Sequence, residues 1–197
     1  FPSRISGLTL VGGLRGLTIP SGAAIAVVGS SIQIDNCIVM SNSAFFYGGA
    51  IPLINSTSLI SDCVIAYNHA GFGQGGGVHV DGGDAMILNC VISENSVGEN
   101  DDFGEGGGIW LNAGIISNCI IRANLAHEGA GIYATAGARI EQCLIQGNTN
   151  FSWNWDRLRG AGCYLAGTSV TLRTTIVEGN MFSRSSGVGD YNEGAGV

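Results

Sequence analysis

Cys37, Cys63, Cys90, Cys119 and Cys143 are each followed five residues later by an asparagine, Asn42, Asn68, Asn95, Asn124 and Asn148, and Thr175 with Asn180 continues the series without the thiol. Three residues before each stands Ile34, Ile60, Ile87, Ile116, Ile140 or Leu172, and two after it Val39, Ile65, Ile92, Ile121, Ile145 or Val177. Upstream, a run of small residues leads to Ile25, Ile51, Val78, Ile109, Ile132 and Cys163, lying 12, 12, 12, 10, 11 and 12 residues before the Cys/Thr column. The asparagines recur every 24 to 32 residues, and nearly all of that variation falls between each Asn and the next glycine-led apolar residue. A fixed unit with insertions at one place describes a solenoid, whose repeats bury a core only when stacked.

Strand or helix is decided by period. Ile25-Ala26-Val27, Ile32-Gln33-Ile34 and Cys37-Ile38-Val39 alternate, as strands do. With 33 glycines, and Asn, Asp and Ser at the joints, the chain has corner residues in abundance and no continuous helix-compatible stretch. The expected fold is all-β: a single domain over residues 1–197 forming a parallel β-helix, with three short strands per turn, about six to seven turns, and internal Ile, Cys and Asn ladders. A second corner column, Asn36, Asp62, Asn89 and Asn118, suits a positive-φ turn. It decays to Gln142 and Arg173, so the last turns are expected to bend differently.

The chain resembles the right-handed, single-stranded parallel β-helix of the pectate-lyase-like superfamily. Its pattern is similar to the repeat of polymorphic outer membrane proteins and related secreted surface proteins, Gly-Gly-Ala-Ile with Phe-x-x-Asn. Gly48-Gly49-Ala50-Ile51 matches the first half literally; in the second half Val39, Ile65, Ile92, Ile121, Ile145 and Val177 stand in place of Phe. The resemblance implies an extracellular or cell-surface protein.

In such a ladder the cysteines are small buried hydrophobes, since parallel Cβ vectors make a disulfide torsion awkward and no His or carboxylate shares their column for zinc. The asparagines turn inward at a corner and satisfy backbone groups that the bend removes from the sheet. His69, His79 and His127 share no column, which disfavours a His-based metal centre. The Asn55-Ser56-Thr57 and Asn150-Phe151-Ser152 sequons are matches expected by chance in an Asn- and Ser-rich chain.

Outward positions on the glycine-led strand read Ala26, Pro52, His79, Trp110, Tyr133 and Tyr164. Such rings stack on one another or offer flat faces to sugars. The insertions enter the same side, bringing Glu99, Asp101, Asp102 and Glu105, then His127 and Glu128, then Trp153, Trp155, Asp156, Arg157 and Arg159. By resemblance to polysaccharide lyases and hydrolases of this fold, a carbohydrate groove would use His79, Trp110, Tyr133, Tyr164, Trp153 and Trp155. Asp101, Asp102 and Glu105 could hold Ca²⁺ and Arg157 or Arg159 could serve as a base, although no cofactor is required and no catalytic residue is assigned.

The residue after each rung cysteine points outward yet reads Ile38, Val64, Val91, Ile120, Leu144 and Ile176, a packing stripe for a neighbouring chain or covering segment. The eight basic residues are all Arg and net charge is −7, which disfavours nucleic acid; no apolar run reaches membrane-spanning length. Phe1 begins within a turn and Gly194-Ala195-Gly196-Val197 begins another, so continuation by further chain, or self-association end to end or laterally, is expected. The favoured reading is an extracellular scaffold, adhesin or fibre segment; the alternative is a polysaccharide-binding or polysaccharide-cleaving β-helix.

Overall fold

The structure, a computed structural model, describes residues 3–15, 22–98, 104–152, 158–184 and 192–193. Each turn takes the same path, typified by Ile51–Ile54, Leu59–Ser61, Val64–Ala66 and His69–Ala70. Strands pair in parallel with their equivalents in the neighbouring turns, so the coil builds a glycine-led sheet of six strands and a second, a third and a short sheet of seven each, with a small fifth sheet of Leu158–Arg159 and Asn192–Glu193. The short sheet is an addition to the three expected strands per turn. Five of its seven members, such as Ser43–Ala44 and Ser96–Val97, span two residues, too few for alternation to reveal, and only Thr149–Ser152 and Met181–Arg184 in the last turns reach four.

Register is set by the apolar columns. Ile34 pairs with Ile60 and Ile87 with Ile116 in the second sheet, and Val39, Ile65, Ile92 and Ile121 follow one another in the third. These side chains are fully buried and, with Ile51, Leu53, Ile109 and Leu111 from the glycine-led sheet, form one core along the axis. A slip of one residue would turn every one of them outward, which fixes the pairing.

All six thiols are free and buried. Each rung thiol donates back to the carbonyl two residues earlier, Cys63 to Ser61 at 3.0 Å and Cys90 to Leu88 at 3.1 Å. The Thr175 hydroxyl makes the same bond to Arg173, at 2.9 Å, so Thr substitutes for Cys without leaving its polar atom unpaired. Burial pushes the Cys163 thiol up to about 12.

The asparagine column is a chain of amides. Asn95 Nδ2 donates to Ile65 O (2.9 Å) and to Asn124 Oδ1 (3.1 Å), while its own Oδ1 accepts from the backbone N (3.0 Å) and Nδ2 (2.9 Å) of Asn68. Asn124 and Asn148 repeat the pattern, and Gly13 N donates to Asn42 Oδ1 in the first turn.

The corner before the cysteines stays in the left-handed region throughout, at Asn36, Asp62, Asn89, Asn118, Gln142 (φ 55°) and Thr174 (φ 48°). The expectation that the last turns bend differently is therefore corrected. The residue preceding Thr175 is Thr174, not Arg173, and the sheets on both sides hold Gln142 and Thr174 in a conformation their own preferences disfavour. At the opposite end Arg4 closes on the buried Asp35 carboxylate, Nε to Oδ1 at 2.6 Å and the second guanidinium nitrogen to Oδ2 at 2.7 Å. The Arg4 and Ser6 hydrogen bonds hold Asp35 well below the usual carboxylate range.

Candidate functional site

The glycine-led sheet brings the outward rings into one column: His79 pairs with Pro52 and Trp110, Trp110 with Tyr133, and Tyr133 with Tyr164. Ring centroids lie 4.7 Å apart for His79 and Trp110 and 6.4 Å for Trp110 and Tyr133, with planes 14° and 11° from parallel, and Tyr47 stacks on the other face of His79 at 5.1 Å. Tyr133 and Tyr164 meet edge to face at 5.2 Å. The rungs thus carry a run of near-parallel rings from Tyr47 to Tyr133 that ends in the edge-to-face contact with Tyr164.

What covers these rings is a second, polar column that sequence reasoning did not assemble. Each connection into the glycine-led sheet passes through a residue four positions before the apolar head of the strand, and Gln74, Glu105, Glu128 and Arg159 bridge one another there in parallel. A positive-φ glycine follows each of them, Gly75, Gly106, Gly129 and Gly160, and folds the preceding side chain back over the strand. Glu105 Oε2 accepts from Gln74 Nε2 (2.8 Å) and from Trp110 Nε1 (3.0 Å). Arg159 Nη1 lies 3.2 Å from Glu128 Oε1 and donates to the Tyr164 hydroxyl at 3.2 Å, its guanidinium 5.5 Å from the ring centre. The legible signal was the four-residue offset from Ile109, Ile132 and Cys163, visible once the glycine runs are aligned.

Exposure along the column is graded. His79 is 3% exposed and Trp110 8%, so of the two residues on which a sugar groove would be centred, Trp110 and Tyr133, the first is enclosed together with His79; Tyr133, Tyr164, Glu128 and Arg159 remain half-buried. Burial, then the neighbouring carboxylates of Glu105 and Glu128, raises the Tyr133 phenol. Burial also raises Glu128, with Arg159 opposing and Glu105 adding to the shift. Trp153, Trp155, Asp101, Asp102 and Arg157 lie outside the described residues. Glu105, the remaining Ca²⁺ candidate, is engaged with Gln74 and Trp110, and no group of three or more potential metal ligands occurs among the described residues.

His79 carries a measurable consequence. Its Nδ1 has no hydrogen-bond partner, and burial, against a smaller opposing effect of Asp81, lowers its pKa to about 4. The unfolded chain then takes up a proton below pH ~6.5 that the folded one refuses, so stability is full above that pH and falls as it drops toward 4. The expected loss is about 3 kcal/mol. His79→Phe should flatten this part of the pH profile in urea titrations; an unchanged profile would show that the ring is not held neutral.

The packing stripe lies along the third sheet, where Ile38, Val64, Ile120 and Ile176 are 42%, 39%, 39% and 58% exposed and Val91 and Leu144 are partly so. No helix among the described residues is long and apolar enough to cross a membrane. Neither a curated protein nor a solved structure matches the chain. The family model for a right handed beta helix region matches residues 15–196. With nearly the whole solenoid covered by that match, the chain belongs to the right-handed β-helix family.

Proposed function

We propose that the chain is a rigid scaffold at the cell surface or outside the cell, holding the connections that enter before the glycine-led strands at fixed positions along one edge. The observation that carries this reading is the common return of those connections. Segments as different as Ala126 to Ile132 and Val97 to Ile109 re-enter the coil through the same column, at Glu128 and Glu105. Loop length is thereby uncoupled from the core, the arrangement a display surface requires. The Gly-Gly-Ala-Ile likeness to secreted surface proteins supports the location. Shortening the connection between Val97 and Glu105 to one residue, the length between Ala126 and Glu128, should leave the melting temperature within ~3 °C, because loop closure depends weakly on length. Protease applied to intact source cells should remove the protein. Global unfolding of the shortened chain, or full protection in intact cells, would overturn the reading.

A carbohydrate-directed reading is favoured by one observation, the half-buried Tyr133 and Tyr164 beside Glu128 and Arg159. It moves the centre of any groove away from Trp110. Retention on uronic-acid polymers that disappears in Tyr133→Ala and Tyr164→Ala would put this reading first.

A further inference from the structure

We propose that the third sheet is a lateral interface on which a second copy of this chain packs side by side, its axis running in the same direction. This deepens the scaffold reading by naming its partner, while its test reads association and not loop presentation. The outward column of that sheet is Thr9, Ile38, Val64, Val91, Ile120, Leu144 and Ile176, one residue per turn in strict register. Among the described residues, Val28 and Met86 are the large exposed apolar side chains that lie away from this sheet, its corners and the short sheet beyond. A ridge repeating at the strand spacing of about 4.8 Å is met best by a surface with that same period. A second copy supplies it. The column carries no charge, so two chains of net charge −7 can meet there without bringing like charges together.

Direction follows from the second outward column of the sheet, Val11, Met40, Ala66, Ser93, Arg122, Gln146 and Glu178, which is apolar in the early turns and polar in the late ones. Opposed axes centred on Val91 would lay Glu178 on the exposed Val11, enclosing charge against apolar surface. Axes in the same direction place the first column on itself, turn for turn. The second column then falls at the rim, with Arg122 beside the exposed Asn118 corner of the other copy. Seven strands about 10 Å wide bury on the order of 700 Å² over both copies. That is below the ~1,200 Å² of stable complexes, so the pairing is weak and concentration-dependent.

Sedimentation velocity of the 197-residue chain from ~5 to ~500 μM should show a rising dimer fraction, and Val64→Glu with Ile120→Glu should lower the association constant at least about tenfold while circular dichroism is unchanged. If that pair alters the fold, Val64→Ser with Ile120→Ser replaces it, with a smaller loss in the same direction. Ile38→Cys, treated with a short bismaleimide that spans two packed sheets, should cross-link to itself, the native thiols being buried. A strictly monomeric chain at ~500 μM, or dimers unaffected by the third-sheet variants, would overturn the interface. Cross-linking confined to mixtures of Ile38→Cys with Leu144→Cys would overturn the shared direction.

Discussion

Asn95→Ala is expected to destabilise the chain by about 3–5 kcal/mol, among the largest losses available from a single side chain here. The reason is what stays behind. The substitution strips the Asn68 backbone N–H and Nδ2 of their acceptor and withdraws a donor from both Ile65 O and Asn124 Oδ1, in a stretch of the column where Asn68, Asn95 and Asn124 are 0–1% exposed. Each buried polar group left unpaired costs ~1–3 kcal/mol, and none can reach water without opening the corner. At roughly 2–4 °C per kcal/mol for a chain of this size, the melting temperature should drop by about 10–15 °C. Asn180→Ala removes the same acceptor from Asn148, but Asn180 is 8% exposed and water can replace it, so its loss should be smaller. Equal losses at the two positions, or a loss under ~1 kcal/mol at Asn95, would mean that the ladder fills space without satisfying the backbone.

The ladder was legible because its cause and its signal coincide. An amide that must meet the amide one turn away has to recur once per turn, and the Cys-to-Asn offset of five is the length of one strand and its corner. Outward residues carry less information. Alternation states that His79 and Trp110 leave the sheet on its outer side, but the side chains that close over them, Tyr47 and Glu105, come from connections of unequal length whose alignment shows only when counted back from the strand that follows. Glu105 was consequently grouped with Asp101 and Asp102 as an acidic loop, when its position four residues before Ile109 aligns it with Gln74 and Glu128. Gln142 and Thr174 were obscured for the opposite reason. Their left-handed backbone is imposed by the sheets on either side, so no residue preference announces it. The apolar third-sheet column was readable because exposed positions there repeat as strictly as buried ones.

Gly106→Ala should cost about 4 kcal/mol, although it adds a single methyl group. Two effects combine at this turn. The backbone lies at φ +68°, where a Cβ carries a penalty of ~1–2 kcal/mol. A Cβ built there would also stand 2.4 Å from Ile109 O and 2.8 Å from Trp110 N, backbone atoms that are fixed by the glycine-led sheet and cannot swing aside. Gly147 separates the two effects. It has φ +61° with nothing within 4 Å of its Cβ position, and the equivalent corner is occupied by Ser41, Tyr67, Glu94 and Ala123 in other turns. Gly147→Ala should therefore cost no more than ~1–2 kcal/mol. The difference between the two variants measures close approach alone, and urea denaturation followed by fluorescence in a background carrying Trp153→Phe and Trp155→Phe, where Trp110 alone emits, reads it where it acts. Because the Gly106 turn is what lays Glu105 over Trp110, the damaged corner should also release the indole N–H from its 3.0 Å bond and shift its emission to longer wavelength before the coil unfolds. Similar losses for Gly106→Ala and Gly147→Ala, with native emission in both, would locate the glycine requirement in φ rather than in the crowding that shapes the site.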